Sequence, residues 1–199
     1  MRAAIEQADS SRLLAPPNPW VGAVLVADDG STYLGSTRRP GGNHAEREVL
    51  EQAGDSARGS TLYSTLEPCC HHGRTGPCTD AIIEAGVATV VFGVADPDPQ
   101  VAGEGLRQME AAGITVIQGI CGQEIETQLA PYLHHRRTGR PYVVLKLAAT
   151  LDGRTAAADG SSQWITGEEA RADAHLLRAE SDAILVGAGT VRDDNPRLT

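Results

Sequence analysis

Short apolar runs alternate with amphipathic segments over residues 21–134, and this alternation constrains the fold more than any other feature. The apolar runs VGAVLVAD, TLYSTL, ATVVFGV and ITVIQG have the length of strands. The segments between them have helical periodicity, and several end on a glycine that suits a helix C-cap. This spacing predicts an α/β domain of three layers, α/β/α, whose later strand-helix-strand units are parallel. A turn at Asp29 and Gly30 adds an antiparallel hairpin, so the sheet should be mixed. Helices are predicted over residues 1–8, 44–54, 79–86, 103–113 and 121–133.

The pattern restarts at residues 136–141 (RRTGRP), which predicts one domain over residues 1–139 and a second unit over residues 140–199. The second unit has the pattern of two strands, within residues 141–153 and 182–189, around one helix capped at Thr166 or Gly167. Two strands and one helix cannot enclose a core, so we expect an incomplete α/β unit with exposed apolar edges. Such edges favour a homo-oligomer through this region, or indicate part of a longer protein.

Composition disfavours several classes of function. The net charge is −9 and 4% of residues are aromatic, whereas nucleic-acid binding relies on clustered cations and stacking rings. No stretch approaches 18 uninterrupted apolar residues, and the amphipathic start lacks the apolar region of a signal peptide. The clustered cysteines indicate a metal or catalytic role in a cytosolic protein. We therefore expect a cytoplasmic protein with a small-molecule substrate, no nucleic acid and no membrane contact.

Two short runs supply the residues of a zinc site that activates water. His44 and Glu46 open one predicted helix, and Cys69 and Cys78 lie in the run TLEPCCHHGRTGPC. Zinc binds neutral histidine and cysteine thiolate, and a catalytic zinc site keeps one position for water. His44, Cys69 and Cys78 would be the three ligands, with a carboxylate beside them.

The spacing of these residues places the site at helix ends. Residues two apart on a helix do not face each other, so His44 and Glu46 share one site only where the chain enters the helix. Cys78 also lies at the start of a helix, and a helix N-terminus favours thiolate over thiol. A structural zinc site is the alternative, and it needs four protein ligands. The candidates for the fourth are Cys70, His71 and His72.

At these residues the chain resembles the zinc-dependent cytidine-deaminase-like superfamily, whose signature is His-x-Glu followed by Pro-Cys-x-x-Cys. Eight residues separate the cysteines here, and this longer loop resembles the RibD family of bifunctional riboflavin-biosynthesis deaminase/reductases. The resemblance extends to PNPWVGAVLV, DPDPQVAGEGL and RTGRPYVVLKLAATLDGRTA. It implies a cytidine-deaminase-like domain followed by an incomplete dihydrofolate-reductase-like unit.

The resemblance also implies a reaction. Water would replace the 2-amino group of 2,5-diamino-6-(ribosylamino)-4(3H)-pyrimidinone 5′-phosphate, giving 5-amino-6-(5-phosphoribosylamino)uracil and ammonia. Glu46 would take a proton from water and deliver protons to the ring nitrogen and the leaving amine. The zinc ligands carry over as His44, Cys69 and Cys78. The positions near the base and the ribose phosphate carry over as Asn18, His71 and Arg74.

The carboxy-terminal region resembles the start of the partner reductase, which uses NADPH. The later strands and the glycine-rich part of the dinucleotide site have no counterpart here, so we expect no reductase activity from this chain alone. The positions that approach the cofactor are Ala148, Trp164, Thr190 and Asp194. Those that approach the reductase substrate are Ser162, Arg178 and Leu198.

Four positions depart from the family pattern. Thr37 stands in place of a histidine, Asn43 and Gly76 in place of prolines, and Cys70 in place of a serine. The ligand set is intact while the surroundings of the substrate are altered. A deaminase of another pyrimidine nucleotide, or a zinc-binding module with impaired catalysis, is therefore the alternative. Deamination of a base within RNA or DNA is disfavoured by the acidic, aromatic-poor composition.

Overall fold

The structure, a computed structural model, describes residues 1–98, 101 and 103–198. The remainder of the predicted regions, namely Pro99, Gln100 and Ala102 of the DPDPQVAGEGL segment and Thr199, lies outside the described residues. The chain forms two compact units, Met1–Tyr142 and Val143–Thr199. None of the helices within the described residues is both long enough and apolar enough to cross a bilayer.

A five-stranded sheet forms the centre of the first unit. Its strands are β1 (Gly22–Val26), β2 (Thr32–Ser36), β3 (Thr61–Leu66), β4 (Thr89–Val94) and β5 (Thr115–Gln118). They lie in the order β2-β1-β3-β4-β5. β1 is antiparallel to β2 and β3, whereas β3, β4 and β5 are parallel, which confirms the predicted mixed sheet. The start of β1 and the ends of β3 and β4 therefore share one edge of the sheet.

Helices cover both faces of this sheet. They are α1 (Arg2–Asp9), α2 (Ala45–Ala53), α3 (Cys78–Ala85), α4 (Glu104–Ala111), α5 (Gly122–Gln128) and α6 (Ala130–Thr138). Gly22 in β1 lies against α1, whereas Gly35, on the opposite face, lies against α2. α5 shares the face of α1, since the Gln128 side chain donates a hydrogen bond to the Ile5 carbonyl at 2.9 Å. The three-layer α/β/α architecture is confirmed.

The helix predicted over residues 121–133 is two helices in the structure. α5 ends at Gln128 and α6 begins at Ala130, with Leu129 between them. Pro131 falls in the first turn of α6, where the absence of its N–H costs little. In the middle of one continuous helix the proline ring would meet the carbonyl of the preceding turn, so the chain starts a new helix there.

The second unit contains helices α7 (Glu168–Ala179) and α8 (Ala188–Asp194). α7 begins after its N-cap Gly167, as predicted. The two predicted strands are wrong for the described part of this unit, because residues 143–198 form no strand. The second predicted strand, over residues 182–189, is irregular up to Gly187, and α8 begins at Ala188. A strand needs a hydrogen-bonded neighbour to satisfy its backbone groups. The apolar side chains of these segments are exposed, by 81% at Val143, 80% at Leu145 and 98% at Leu185.

Replacement of Gly22 by alanine should destabilise the first unit. A Cβ atom at this position would clash with the Ala4 carbonyl oxygen of α1. This backbone atom cannot move away as the end of a flexible side chain can. We expect the free energy of unfolding to fall by about 1–3 kcal/mol in a denaturant titration. Gly73→Ala is the matched control, because a Cβ there meets open space. Equal losses at both positions would contradict the close approach of α1 to β1.

Candidate active site

The residues of the predicted zinc site lie at the N-terminal ends of two helices. His44 is the N-cap of α2 and has an extended backbone, with φ −75° and ψ 162°. Glu46 lies two residues on in the first turn, so both side chains leave the chain where it enters the helix. Cys78 is the first residue of α3, and Cys69 lies in the loop between β3 and α3. The predicted placement at helix ends is confirmed.

The three candidate ligands have the spacing of a tetrahedral metal site. The Nδ1 atom of His44 lies 3.5 Å from the Sγ atoms of both Cys69 and Cys78. All three ligand atoms lie within 4.8 Å of one another. Zinc at its usual distances from nitrogen and sulfur would separate such atoms by about 3.6 Å. The donor set therefore fits zinc, and within the described residues this group includes neither Cys70, His71 nor His72.

A hydrogen bond links the two cysteines and shifts their pKa values in opposite directions. A hydrogen bond from the Cys78 thiol, aided by His44, lowers the pKa of Cys69 to about 4. The same hydrogen bond, together with burial, raises the pKa of Cys78. The first backbone N–H of α3 points to the Cys69 sulfur at 3.5 Å. The N-terminus of α3 thus points at the Cys69 sulfur, and the expectation that this helix end favours the thiolate of Cys78 when zinc is bound stays a prediction.

Glu46 is a buried carboxyl group next to these ligands, with 3% of its surface exposed. Burial raises its pKa. The Ser64 hydroxyl lies 3.4 Å from Oε1, and the Cys78 thiol lies 3.7 Å from Oε2. These contacts from β3 and α3 fix the carboxyl group beside the ligand triad. A protein group that can hold or release a proton is thus present where water would meet a metal.

A cavity of about 380 Å³ opens from the ligand triad and is large enough for a small nucleotide. Its lining includes His44, Glu46 and Cys69. The three residues predicted to contact the deaminase substrate, Asn18, His71 and Arg74, also line it. The buried Nδ1 atom of His71 has no hydrogen-bond partner among the described residues. The predicted zinc ligands, the proton-carrying Glu46 and the predicted substrate-binding residues thus lie in or beside the wall of one cavity.

A polar cluster that was not predicted from the sequence also lines this cavity. Asp96 and Asp98 follow β4, and Tyr132 and Arg136 project from α6. The Tyr132 hydroxyl donates to the Asp96 carboxylate at 2.9–3.0 Å, and Arg136 lies 3.4 Å from Asp98. The signal in the sequence was the spacing of Tyr132 and Arg136, one helical turn apart, but nothing there indicates their partners.

Residues at the positions that depart from the family pattern make local contacts. Thr37 is buried on the cavity wall, and its hydroxyl accepts a hydrogen bond from the Val21 N–H at 3.0 Å. Asn43 donates from its side chain to Glu51 at 2.8 Å. Burial raises the pKa of the Cys70 thiol, which disfavours a further thiolate beside the metal site. The Thr37 hydroxyl therefore holds the chain at the start of β1 by a hydrogen bond. The family pattern has a histidine ring at this position.

The residues predicted for the reductase lie on separate segments of the second unit. Ser162 and Trp164 precede α7, and the Arg171 guanidinium stacks 4.4 Å above the Trp164 ring. Ala148 lies in the irregular segment before them. No strand of the described residues joins these segments. The others are placed as follows: Arg178 in α7, Thr190 and Asp194 in α8, and Leu198 beyond α8.

Known protein families match both parts of the chain. The family Cytidine and deoxycytidylate deaminase zinc-binding region matches residues 1–94, and the RibD C-terminal domain matches residues 141–199. Riboflavin biosynthesis protein RibD of Escherichia coli is 51% identical, and that of Chlamydia trachomatis is 50% identical, over 199 residues. The chain is homologous to RibD proteins over its whole length. The resemblance to this family is confirmed.

The chain spans 54% and 53% of the length of these two curated relatives. A solved structure extends the likeness to three dimensions. It is a diaminohydroxyphosphoribosylaminopyrimidine deaminase/5-amino-6-(5-phosphoribosylamino)uracil reductase from Thermotoga maritima, 45% identical, with a TM-score of 0.93. The match covers 100% of this chain and 57% of that one. The fold of the chain is therefore that of the matching part of such a protein.

Asp96 should make the stability of the first unit depend on pH. Burial raises its pKa above the ordinary 3.8, so the folded state holds this proton more tightly than the unfolded chain. The stability that it contributes is complete below pH 3.8 and is lost as the pH rises through the raised pKa. In denaturant titrations of the metal-free protein, the free energy of unfolding of Asp96→Asn should therefore increase relative to that of the wild type as the pH rises. A difference that does not vary with pH would contradict this.

Proposed function

We propose that this chain catalyses the hydrolytic deamination of 2,5-diamino-6-(ribosylamino)-4(3H)-pyrimidinone 5′-phosphate to 5-amino-6-(5-phosphoribosylamino)uracil. The observation that carries the proposal is the buried Glu46 carboxyl beside the triad of His44, Cys69 and Cys78, on the wall of a cavity. Homology supports the substrate, because the similar Thermotoga maritima protein is named for this deaminase and for the uracil reductase. A purely structural metal site does not need such a carboxyl group.

The residues of the chain have separable tasks in this reaction. His44, Cys69 and Cys78 would hold zinc, which when bound lowers the pKa of a coordinated water to about 7. Glu46 accepts a proton from the attacking water and then supplies protons to the ring nitrogen and the departing amine. The exocyclic carbon–nitrogen bond breaks, a carbonyl forms, and ammonia leaves. Ser64 keeps the Glu46 carboxyl in place through the contact at 3.4 Å.

Substrate binding is assigned to the three other predicted residues on the cavity. The Asn18 amide offers both a donor and an acceptor, which suits the edge of a pyrimidine ring. The Arg74 guanidinium and the His71 ring suit the 5′-phosphate, since both can donate hydrogen bonds to its oxygens. Both residues lie in the loop between the two cysteines and line the cavity.

The second unit is proposed as the beginning of an NADPH-dependent reductase half, with the domain boundary at residues 139–140. In a longer protein, further strands would pair with the segments that are irregular here. Ala148, Trp164, Thr190 and Asp194 would then approach NADPH, and Ser162, Arg178 and Leu198 the reductase substrate. Association of two chains through this region is part of the same proposal, because its apolar side chains are exposed.

Glu46→Gln should retain zinc and lose turnover. The amide keeps the shape of the side chain but cannot carry the proton, so ammonia release should fall by roughly 10²–10⁴-fold. Zinc content is measured on the same samples. Glu48→Gln is the matched control, since Glu48 pairs with Arg38 away from the ligands. Unchanged turnover in Glu46→Gln would remove this residue from the mechanism, and loss of zinc would make it a structural group.

The chain by itself should not oxidise NADPH when it is supplied with the deaminated product. The cofactor-approaching residues lie on segments that no sheet of the described residues brings together. A dinucleotide site needs those segments fixed side by side. The measurement is the loss of NADPH absorbance, with the Escherichia coli RibD protein as the positive control. Turnover by this chain at a rate near that of the control would overturn the prediction.

A further inference from the structure

Arg47 joins the two helices that carry the zinc ligands. It follows Glu46 in the first turn of α2, and its side chain is half-buried. Its Nη2 atom donates a hydrogen bond to the backbone carbonyl of Pro77 at 3.1 Å. Pro77 is the N-cap of α3 and directly precedes Cys78. One side chain therefore connects the helix of His44 to the residue before Cys78.

The Cys78 thiol contacts His44 and Glu46 of α2, whereas the backbone hydrogen bonds around Cys78 run within its own loop. The backbone N–H of Cys78 points to the Cys69 sulfur at 3.5 Å, and the N–H of Thr79 donates to the Cys69 carbonyl at 3.1 Å. These bonds set Cys78 relative to Cys69. They do not set either cysteine relative to His44, which belongs to α2. The hydrogen bond from Arg47 to Pro77 links the loop of the two cysteines to α2.

Gly76 provides the space that Arg47 occupies. A Cβ atom at position 76 would lie 3.1 Å from the Arg47 Nη2 atom, closer than such contacts ordinarily are. Residue 76 is one of the positions where this chain departs from the family pattern, with glycine in place of proline. Because proline has a Cβ atom, it would crowd the guanidinium. Arg47 and Gly76 therefore fit as a pair in this chain.

Arg47 does not belong to the lining of the cavity that opens from the ligands. Its action is therefore through Pro77 and not through contact with substrate. We propose that Arg47 is a positioning residue of the metal centre, which holds the start of α3 against α2 and so keeps Cys78 at bonding distance from the metal that His44 shares. Gly76 leaves room for the Arg47 guanidinium. The inference rests on the zinc site of the proposed function but not on its substrate.

The test is the rate at which the zinc-loaded protein loses its metal to an excess of a chromogenic chelator. Arg47→Met removes the donor and keeps the length of the side chain, so zinc loss should be roughly 10–100-fold faster, as for other residues that support metal ligands. Arg47→Lys keeps a donor, so its rate of zinc loss should lie between the rates of the wild type and of Arg47→Met. Arg38→Met is the matched control, because Arg38 pairs with Glu48 on the exposed side of α2 and should leave the rate unchanged.

Gly76→Ala tests the pairing without removing Arg47. It should accelerate zinc loss in the wild-type background and have no further effect in Arg47→Met, since residues that act as a unit are not additive. If Arg47→Met does not fold, Gly76→Ala alone decides. An unchanged rate in Arg47→Met, or in Gly76→Ala when it stands alone, overturns the inference, as do additive effects of the two. Zinc binding without ammonia release would instead overturn the proposed function and leave this test intact.

Discussion

Parallel pairing of β3 with β4, beside an antiparallel β1, is the constraint on which the site depends. This register brings the loops after Leu66 and Val94 to the same edge of the sheet. The Glu67 carboxylate then joins the two loops, because it accepts hydrogen bonds from the N–H groups of Asp96 at 3.3 Å and Gly103 at 3.2 Å. One wall of the cavity is thus set by strand order, and its position is fixed by a buried carboxylate.

The same edge concentrates groups that would repel one another if all were ionised. The hydrogen bond from Cys78 lowers the pKa of Cys69, whereas the same bond and burial raise the pKa of Cys78, and burial raises the pKa of Glu46. A divalent cation stabilises the thiolates, so metal binding and proton release are coupled. The burial that makes the carboxyl group costly to ionise also keeps water away from it except through the cavity.

The sequence was informative where structure is local. Helical periodicity and capping glycines located α2 and α3, and the two-residue spacing of His44 and Glu46 already required a helix end. It was uninformative where structure depends on distant partners. The contact of Tyr132 with Asp96 joins segments that share no pattern, and the apolar runs of the second unit form no strand among the described residues because a strand requires a neighbour. Hydrophobic pattern predicts which segments can be strands, but pairing decides which of them are.

The long loop between the cysteines changes what must hold the metal site together. When two residues separate the ligands, the chain itself keeps them close. An eight-residue gap is two doublings longer, which adds about 1.2 kcal/mol of loop-closure entropy. Each hydrogen bond that ties the loop returns about 0.5–1.5 kcal/mol. The bonds from Thr79 to Cys69 and from Arg47 to Pro77 are therefore of the size needed to offset the longer loop. A metal site of this kind depends on residues that never touch the metal.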